Sequence, residues 1–298
     1  MKIGTRGSQL ARWQAEWVQS RLAERGVRAE LVVITTQGDA EVDRPLHELD
    51  GKGFFTKEIE DALLENRIDV AVHSLKDLPT TLPPGLALAA IPARHDPREA
   101  LVNGTSIQAL APGTRIGTSS LRRVAQVRFL RPDLEVVPLR GNVPTRVRKV
   151  EGREGLDAAL LAIAGLERLG LNEKGSLVDP LDIMPAPGQG ALGIEIRASD
   201  TATRKALEPL HDGASAAAVT AERAVLAALG GGCQAPVAAW VEIRDAGNRK
   251  RLYGRVTDRD GAVQLTASAE LDSKRPEAAG ESVARLLESE GAASLLAR

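Results

Sequence analysis

The opening third of the chain alternates short apolar runs with stretches whose apolar residues recur at helical spacing. Lys2-Ile3 reads as a short strand, and Leu10, Trp13 and Trp17 form the apolar stripe of a helix. Ser8 stands where that helix needs an N-cap, and Gly26 is a natural stop. Leu31–Ile34 predicts a buried strand, and a Gly-rich loop (Gly51-Lys52-Gly53) leads into a helix from Lys57 to Asn66. Val70-Ala71-Val72 is the next strand, closed by a turn rich in proline (Pro79, Pro83, Pro84). This β-α-β-α rhythm predicts a mostly parallel sheet covered by helices.

The rhythm restarts near Asp96-Pro97. Strands are predicted at 115–117, 135–139 and 158–162, and helices at 120–130 and 144–150, with Pro144 suited to a first helical turn. A third region opens near Gly213 with an Ala-rich helix to Leu229 and the loop Gly230-Gly231-Gly232-Cys233. Alternating stretches at 237–243, 252–256 and 263–269 predict a small antiparallel sheet, and a last helix runs from Pro276 to Leu287.

Composition narrows the function classes. The chain has 298 residues, enough for two or three domains, and its 43% hydrophobic and 27% charged content is that of a folded protein. A net charge of −1 gives no general attraction to nucleic acid or anionic membrane, and 2% aromatic residues leave no stacking platform for bases. No apolar run reaches the roughly 18 residues a membrane span needs. With no secretory leader pattern at its start and a single cysteine, the chain is expected in a reducing compartment, the cytoplasm. The basic residues are 30 Arg against 9 Lys. Such a bias arises from a GC-rich genome or a hot habitat, and it also suits two-pronged binding of carboxylate or phosphate.

Two familiar patterns fail. Gly188-Gln189-Gly190-Ala191-Leu192-Gly193 matches a dinucleotide string, but Pro185 and Pro187 precede it and a strand, Ala191–Arg197, follows where a helix is required. No pair among His47, His73, His95 and His211 has metal-ligand spacing, so no metal is expected.

Four motifs carry chemistry. In Gly117-Thr118-Ser119-Ser120-Leu121-Arg122-Arg123 a strand ends and a helix begins, so free N–H groups, hydroxyls and the helix dipole converge where an anion fits. Two arginines in a first helical turn oppose that dipole and ask for an external anion. The bland alternative is a capped helix with surface arginines. Leu139-Arg140-Gly141-Asn142-Val143-Pro144-Thr145-Arg146 repeats the strand-to-helix turn, as does Gly4-Thr5-Arg6-Gly7-Ser8. Together they describe a polyanion cleft. His73-Ser74-Leu75-Lys76-Asp77 ends an apolar strand with a base and an acid, suited to proton transfer or to steadying a cation, or else a solvated turn. Gly231-Gly232-Cys233-Gln234 presents a thiol on a loop, which fits covalent attachment better than turnover, although a lone cysteine is commonly a small buried hydrophobe.

These four motifs, in this order, resemble the porphobilinogen deaminase (hydroxymethylbilane synthase) family, and the similarity runs from Ile3 to at least the 240s. The resemblance implies an α/β fold of two domains like type II periplasmic binding proteins plus a small C-terminal α+β domain. Residues 1–92 with 186–206 would form the first, 93–185 the second and 207–298 the third. It implies a transferase that joins four porphobilinogens head to tail, with release of ammonia, on a dipyrromethane cofactor held by a thioether to Cys233. Asp77 would assist ammonia loss and steady the cationic intermediates. Arg122, Arg123, Ser119, Ser120, Lys76 and Arg140 would bind the cofactor, while Arg6, Ser8, Arg140, Arg146 and Arg168 would bind substrate carboxylates. Lys52 and Lys57 would belong to a loop over the site. The family expectation is a cytoplasmic monomer without nucleic-acid or membrane partners. Pro144 and Pro187 stand where some relatives differ, which touches loop shape only. The rivals are an anion-binding receptor on the same fold and a cysteine hydrolase, which needs a base beside Cys233.

Overall fold

The structure, a computed structural model, describes residues 1–40, 56–230, 235–244 and 249–297. In chain order the elements are β1 (Lys2–Thr5), α1 (Gln9–Ala23), β2 (Glu30–Val33), α2 (Gln37–Ala40), α3 (Lys57–Leu64), β3 (Val70–Ser74), β4 (Leu86–Ala90), β5 (Glu99–Val102) and β6 (Arg115–Gly117). There follow α4 (Leu121–Leu130), β7 (Glu135–Val137), α5 (Val143–Glu151), β8 (Ala158–Ala162), α6 (Ile163–Arg168), β9 (Gly175–Leu177), β10 (Leu192–Arg197) and α7 (Thr201–Leu207). The last are α8 (Gly213–Ala228), β11 (Val237–Arg244), β12 (Arg249–Thr257), β13 (Gln264–Glu270), α9 (Pro276–Ser289) and α10 (Ala292–Leu296). They fall into two compact units, Met1–His95 with Gly190–Ala216, and Asp96–Gln189 with Ala217–Arg298.

The first unit holds a five-stranded sheet in the order β2-β1-β3-β10-β4. β1 runs parallel to β2 and β3, whereas β10 runs antiparallel to β3 and β4. The sheet is therefore evenly mixed, not mostly parallel as the rhythm of the sequence predicts. Local patterning sees α1 and α3 as crossovers and Ala191–Arg197 as a strand, but not that this strand, β10, inserts between β3 and β4. Ile3, Val70, Val72, Ile194 and Ile196 pack on Ala15, Val18 and Leu22 of α1. Ala71 and Ile68 meet Ile59, Ala62 and Leu63 on the α3 side. With helices on both faces, the short apolar run of β3 is buried on both sides.

The second unit repeats the strand order, β7-β6-β8-β5-β9, with β6 parallel to β7 and β8 and β5 antiparallel to β8 and β9. Alternation along β8 divides its residues between two cores. Ala159 and Leu161 face Val147 and Val150, while Ala158 and Leu160 face Val127 and Ile183. β7 stops at Val137, short of the predicted Leu139, because the Leu139 N–H that would continue the ladder turns to the Ser119 hydroxyl instead. The same unit carries the antiparallel sheet β11-β12-β13, whose inward Val237, Ala239, Val241, Leu252 and Val256 pack on Val225, Val283 and Leu287. α8 and α9 approach closely at Gly280, where a Cβ would lie 2.5 Å from that of Ala224. On the outer face Trp240 and Tyr253, directly paired across strands, stack with centroids 5.7 Å apart. Buried Arg255 of β12 donates to Gln126 of α4 and to the Leu181 and Asp182 carbonyls, tying the small sheet to the larger one.

Among the described residues no helix is long and apolar enough to cross a membrane. The small antiparallel sheet, with α8 and α9 on one face, completes a mixed α/β architecture of two α/β sheets and a C-terminal α+β region.

Candidate active site

In the first unit the parallel neighbours β1 and β3 deliver their carboxyl ends to one sheet edge. β1 leads into Arg6 and Ser8, and Ser8 caps α1 by accepting a hydrogen bond from the Ala11 N–H at 3.3 Å. The Thr5 hydroxyl donates to the Ala11 carbonyl at 2.9 Å, fixing the turn between them. β3 leads into a single 3₁₀ turn, Leu75–Asp77. Leu75 and Leu78 are sealed in the core, and the Leu75 N–H donates to the Ala191 carbonyl at 3.0 Å. The turn is thus anchored by its apolar residues, which leaves Lys76 and Asp77 half-buried at the edge. Arg6, Ser8, Gln14, Thr56, His73 and Asp77 line one cavity of about 80 Å³ there. Lys57 is exposed and pairs with Asp61 at 3.3 Å along α3. Lys52 lies outside the described residues.

The second unit does the same with β6, β7 and β8, whose parallel run brings three strand ends to one edge. After β6, the Ser119 hydroxyl donates to the Leu139 carbonyl and accepts from the Leu139 N–H, each at 3.0 Å, which clasps the turn after β7. Ser120 is the N-cap residue of α4 but makes no side-chain cap bond. Arg122 and Arg123 turn inward. The Glu99 carboxylate of β5 accepts from Arg122 through one oxygen and from Arg123 through the other, each at 2.6 Å. Arg122 also donates to the Met184 carbonyl, and Arg123 to that of Leu160 at 2.9 Å. Where the sequence asks for an external anion, the fold supplies an internal one. It neutralises only one of two guanidiniums, so a positive charge remains behind the open end of α4. Burial lowers the Arg122 pKa, and Glu99 opposes that. Replacing Glu99 by Ala leaves two buried cations without their acceptor. It is expected to cost about 3–5 kcal/mol, read as a fall in denaturant midpoint.

Beyond Leu139, Arg140 is half-buried, and Gly141 takes φ +111°, a conformation for which glycine is suited. Arg146 Nε donates back to the Gly141 carbonyl at 2.7 Å, and Asn142 caps α5 by accepting from the Thr145 N–H at 2.9 Å. Arg168 ends α6, the short helix that follows β8 directly, and is only 5% exposed. Burial pulls its guanidinium down to about 10, with Glu167 pulling the other way. A carboxylate beside it would favour the charged form further. Cys233 lies outside the described residues. The helix before it is held by Glu222, a fully buried carboxylate that accepts from the Gly188 and Val241 N–H groups at 2.8 and 2.9 Å.

Three side chains that matter here are missing from the sequence reading. Glu99 opens an apolar strand and Glu195 interrupts one, the latter a signal of a buried charge. Glu60 lies on the inner side of α3 with Ile59 and Leu63. Among the described residues no three His, Cys, Asp or Glu side chains gather as a metal site.

The family comparison bears on both edges. Residues 1–205 match the porphobilinogen deaminase dipyromethane cofactor binding domain, and residues 216–289 match the porphobilinogen deaminase C-terminal domain. The porphobilinogen deaminase of Syntrophotalea carbinolica is 49% identical over all of this chain and 95% of its own, and that of Moorella thermoacetica is 48% identical over 99% and 95%. That of a Roseiflexus species is 51% identical over 88% of this chain and 87% of its own. Among solved structures, an ancestral cationic amino acid solute binding protein aligns with 70% of this chain at 15% identity. Its TM-score of 0.45 is too low to bear on fold or function.

Two matched domains at this identity define a transferase of tetrapyrrole biosynthesis that works on a dipyrromethane cofactor. The chain belongs to the porphobilinogen deaminase family. Its reaction is the stepwise joining of four porphobilinogens into hydroxymethylbilane with release of ammonia.

Proposed function

We propose that, within this reaction, Asp77 is the catalytic acid and Cys233 the thioether anchor of the cofactor. The observation that carries the Asp77 assignment is that Arg6, Ser8, His73 and Asp77 share one cavity at the edge where β1 and β3 end. Bound to the chain, the dipyrromethane supplies the pyrrole carbon that extends. The protein's part is proton handling and charge. Asp77, protonated, gives a proton to the departing amino group; ionised, it steadies the cation left on the substrate. Arg6 beside it is placed to take a substrate carboxylate, with Ser8 and Lys76 in support.

The cofactor's own carboxylates fit the second unit. The charge left over by Glu99, the uncapped start of α4 at Ser119 and Ser120, and the buried Arg168 guanidinium all favour an anion there. In this reading Arg122 and Arg123 act from behind, by charge, while Arg140, Arg146 and Arg168 meet carboxylates. Every ring brings two carboxylates, and a charge-assisted hydrogen bond is worth about 1.5–3 kcal/mol. Several such bonds hold a growing chain without trapping it. Lys57, exposed at the start of α3, is read as reaching over the site, while Lys52 lies outside the described residues. The reading also takes residues 1–92 with 186–206, 93–185 and 207–298 as the functional divisions of the chain. It places the enzyme in the cytoplasm as a monomer without nucleic-acid or membrane partners, in keeping with its single cysteine and net charge of −1.

Purified protein given porphobilinogen tests the reading. It should consume the substrate, release one ammonia per ring and pass through a ladder of masses rising by one pyrrole unit. No mass gain and no ammonia would leave an anion-binding protein in its place.

A further inference from the structure

Two walls of the Asp77 cavity lead to buried acids that the reaction as described does not use. His73, one wall, places Nε2 3.0 Å from Glu195 Oε2, and the two side chains are 4% and 0% exposed. The other Glu195 oxygen is buried with no hydrogen-bond partner. Thr56, a second wall, is the N-cap residue of α3 one turn before Glu60, and its buried hydroxyl has no hydrogen-bond partner. Glu60 is itself buried, and its Oε1 likewise has no hydrogen-bond partner. α3 packs on β3 and β10, and each of the three elements buries one of these side chains behind the cavity. Asp61 of α3 is the further acid near Glu60, and Arg6 and Asp77 are the charged groups of the adjoining cavity.

Two ionised carboxylates beside one imidazole would leave an unbalanced charge in that space even with the ring protonated, a state that burial penalises heavily. A proton kept on Glu60, whose pKa is raised by burial, relieves that charge. We propose that Glu60, His73 and Glu195 form a proton store for the Asp77 cavity, exchanging with it through the His73 ring. The inference rests on Asp77 being the reacting acid.

The proton balance of one condensation suits such a store. The aminomethyl C–N bond breaks with its electron pair going to nitrogen, and the amino group takes one proton and leaves as ammonia. The α-carbon of the chain's last ring then forms the new C–C bond to the methylene carbon and releases one proton. One proton is lent and one returned, and the cluster is ready for the next ring. His73 reaches the cavity; Glu60 and Glu195 act through it as positioning residues.

Burial first, and then Glu195, pushes the Glu60 pKa up, with His73 pulling down. A carboxyl raised in the folded state favours folding less as pH rises through the interval between its unfolded and folded values. Glu60→Gln removes that loss. It should raise the Tm of the cofactor-loaded enzyme above neutral pH, and the gain should shrink toward pH 4.5, the ordinary value for the group.

The decisive experiment measures rate against pH for the loaded enzyme with Glu60→Gln, Glu195→Gln and Asp77→Asn, beside Tm against pH. Each Gln variant should lose about tenfold in turnover at alkaline pH, where bulk protons are scarce, and little in mild acid. A more stable enzyme that turns over more slowly at high pH is not the outcome of a merely structural role. Should Glu60→Gln not fold, Glu195→Gln carries the same rate comparison. Parent-like rate profiles in the Gln variants beside an inactive Asp77→Asn would overturn the proton store and leave Asp77 standing. A normally active Asp77→Asn would sink both readings.

Discussion

Asp77→Asn is expected to fold as the parent does and to lose turnover by about two to four orders of magnitude. The side chain leaves the core untouched because Leu75 and Leu78 make the turn's apolar contacts, and the turn is pinned by the Leu75 N–H on Ala191. Tm and far-ultraviolet circular dichroism should therefore stay at parent values while ammonia release fails. Asparagine keeps the size and removes the ionisable proton, so the loss reads chemistry and not shape. Turnover above a tenth of the parent rate would mean that the acid sits elsewhere in the cavity.

Cys233→Ser is expected to abolish covalent cofactor. The intact mass of the denatured parent should exceed that of the bare chain by two linked pyrrole units, and the variant should match its bare chain. The chain holds a single cysteine, so no second thiol can take over. Serine offers a hydroxyl, a far weaker nucleophile near neutral pH than a thiol, which is partly ionised there. Parent protein of bare mass that gains mass on incubation with porphobilinogen would be an apo preparation of the same enzyme. A variant that gains the same mass would place the anchor on another side chain.

How much of this was legible in the residues depended on how local each interaction is. Ser8 as the cap of α1, the strand at Ala158–Ala162, the helix from Gly213 and the antiparallel sheet near the end all follow from neighbours within a few positions, and the structure has them. Helix α3 ends at Leu64, two residues before the predicted Asn66, which takes a left-handed conformation at φ 58°. Arg122 and Arg123 show the limit. Their strand-to-helix setting was plain, yet their partner Glu99 lies on an antiparallel strand that no local pattern joins to them. The same holds for His73 and Glu195, which are 122 positions apart in sequence and 3.0 Å apart in space. Alternation along Leu192–Arg197 puts Glu195 on the face opposite Ile194 and Ile196, but which strand it would lie beside was a question of topology.

The insertion of β10 between β3 and β4 has a consequence for synthesis. β4 ends at Ala90, and β10 begins only at Leu192. On a ribosome moving at about 5–20 residues per second, roughly 5–20 seconds separate the emergence of those two strands. Through that interval β3 and β4 have no strand to join them, and the carbonyl of Ala191 that holds the Asp77 turn has not yet been made. The order of translation thus withholds the acid's final position until the following unit's central sheet has left the tunnel, and a chain truncated before residue 192 should bind chaperones through the exposed edge of β3.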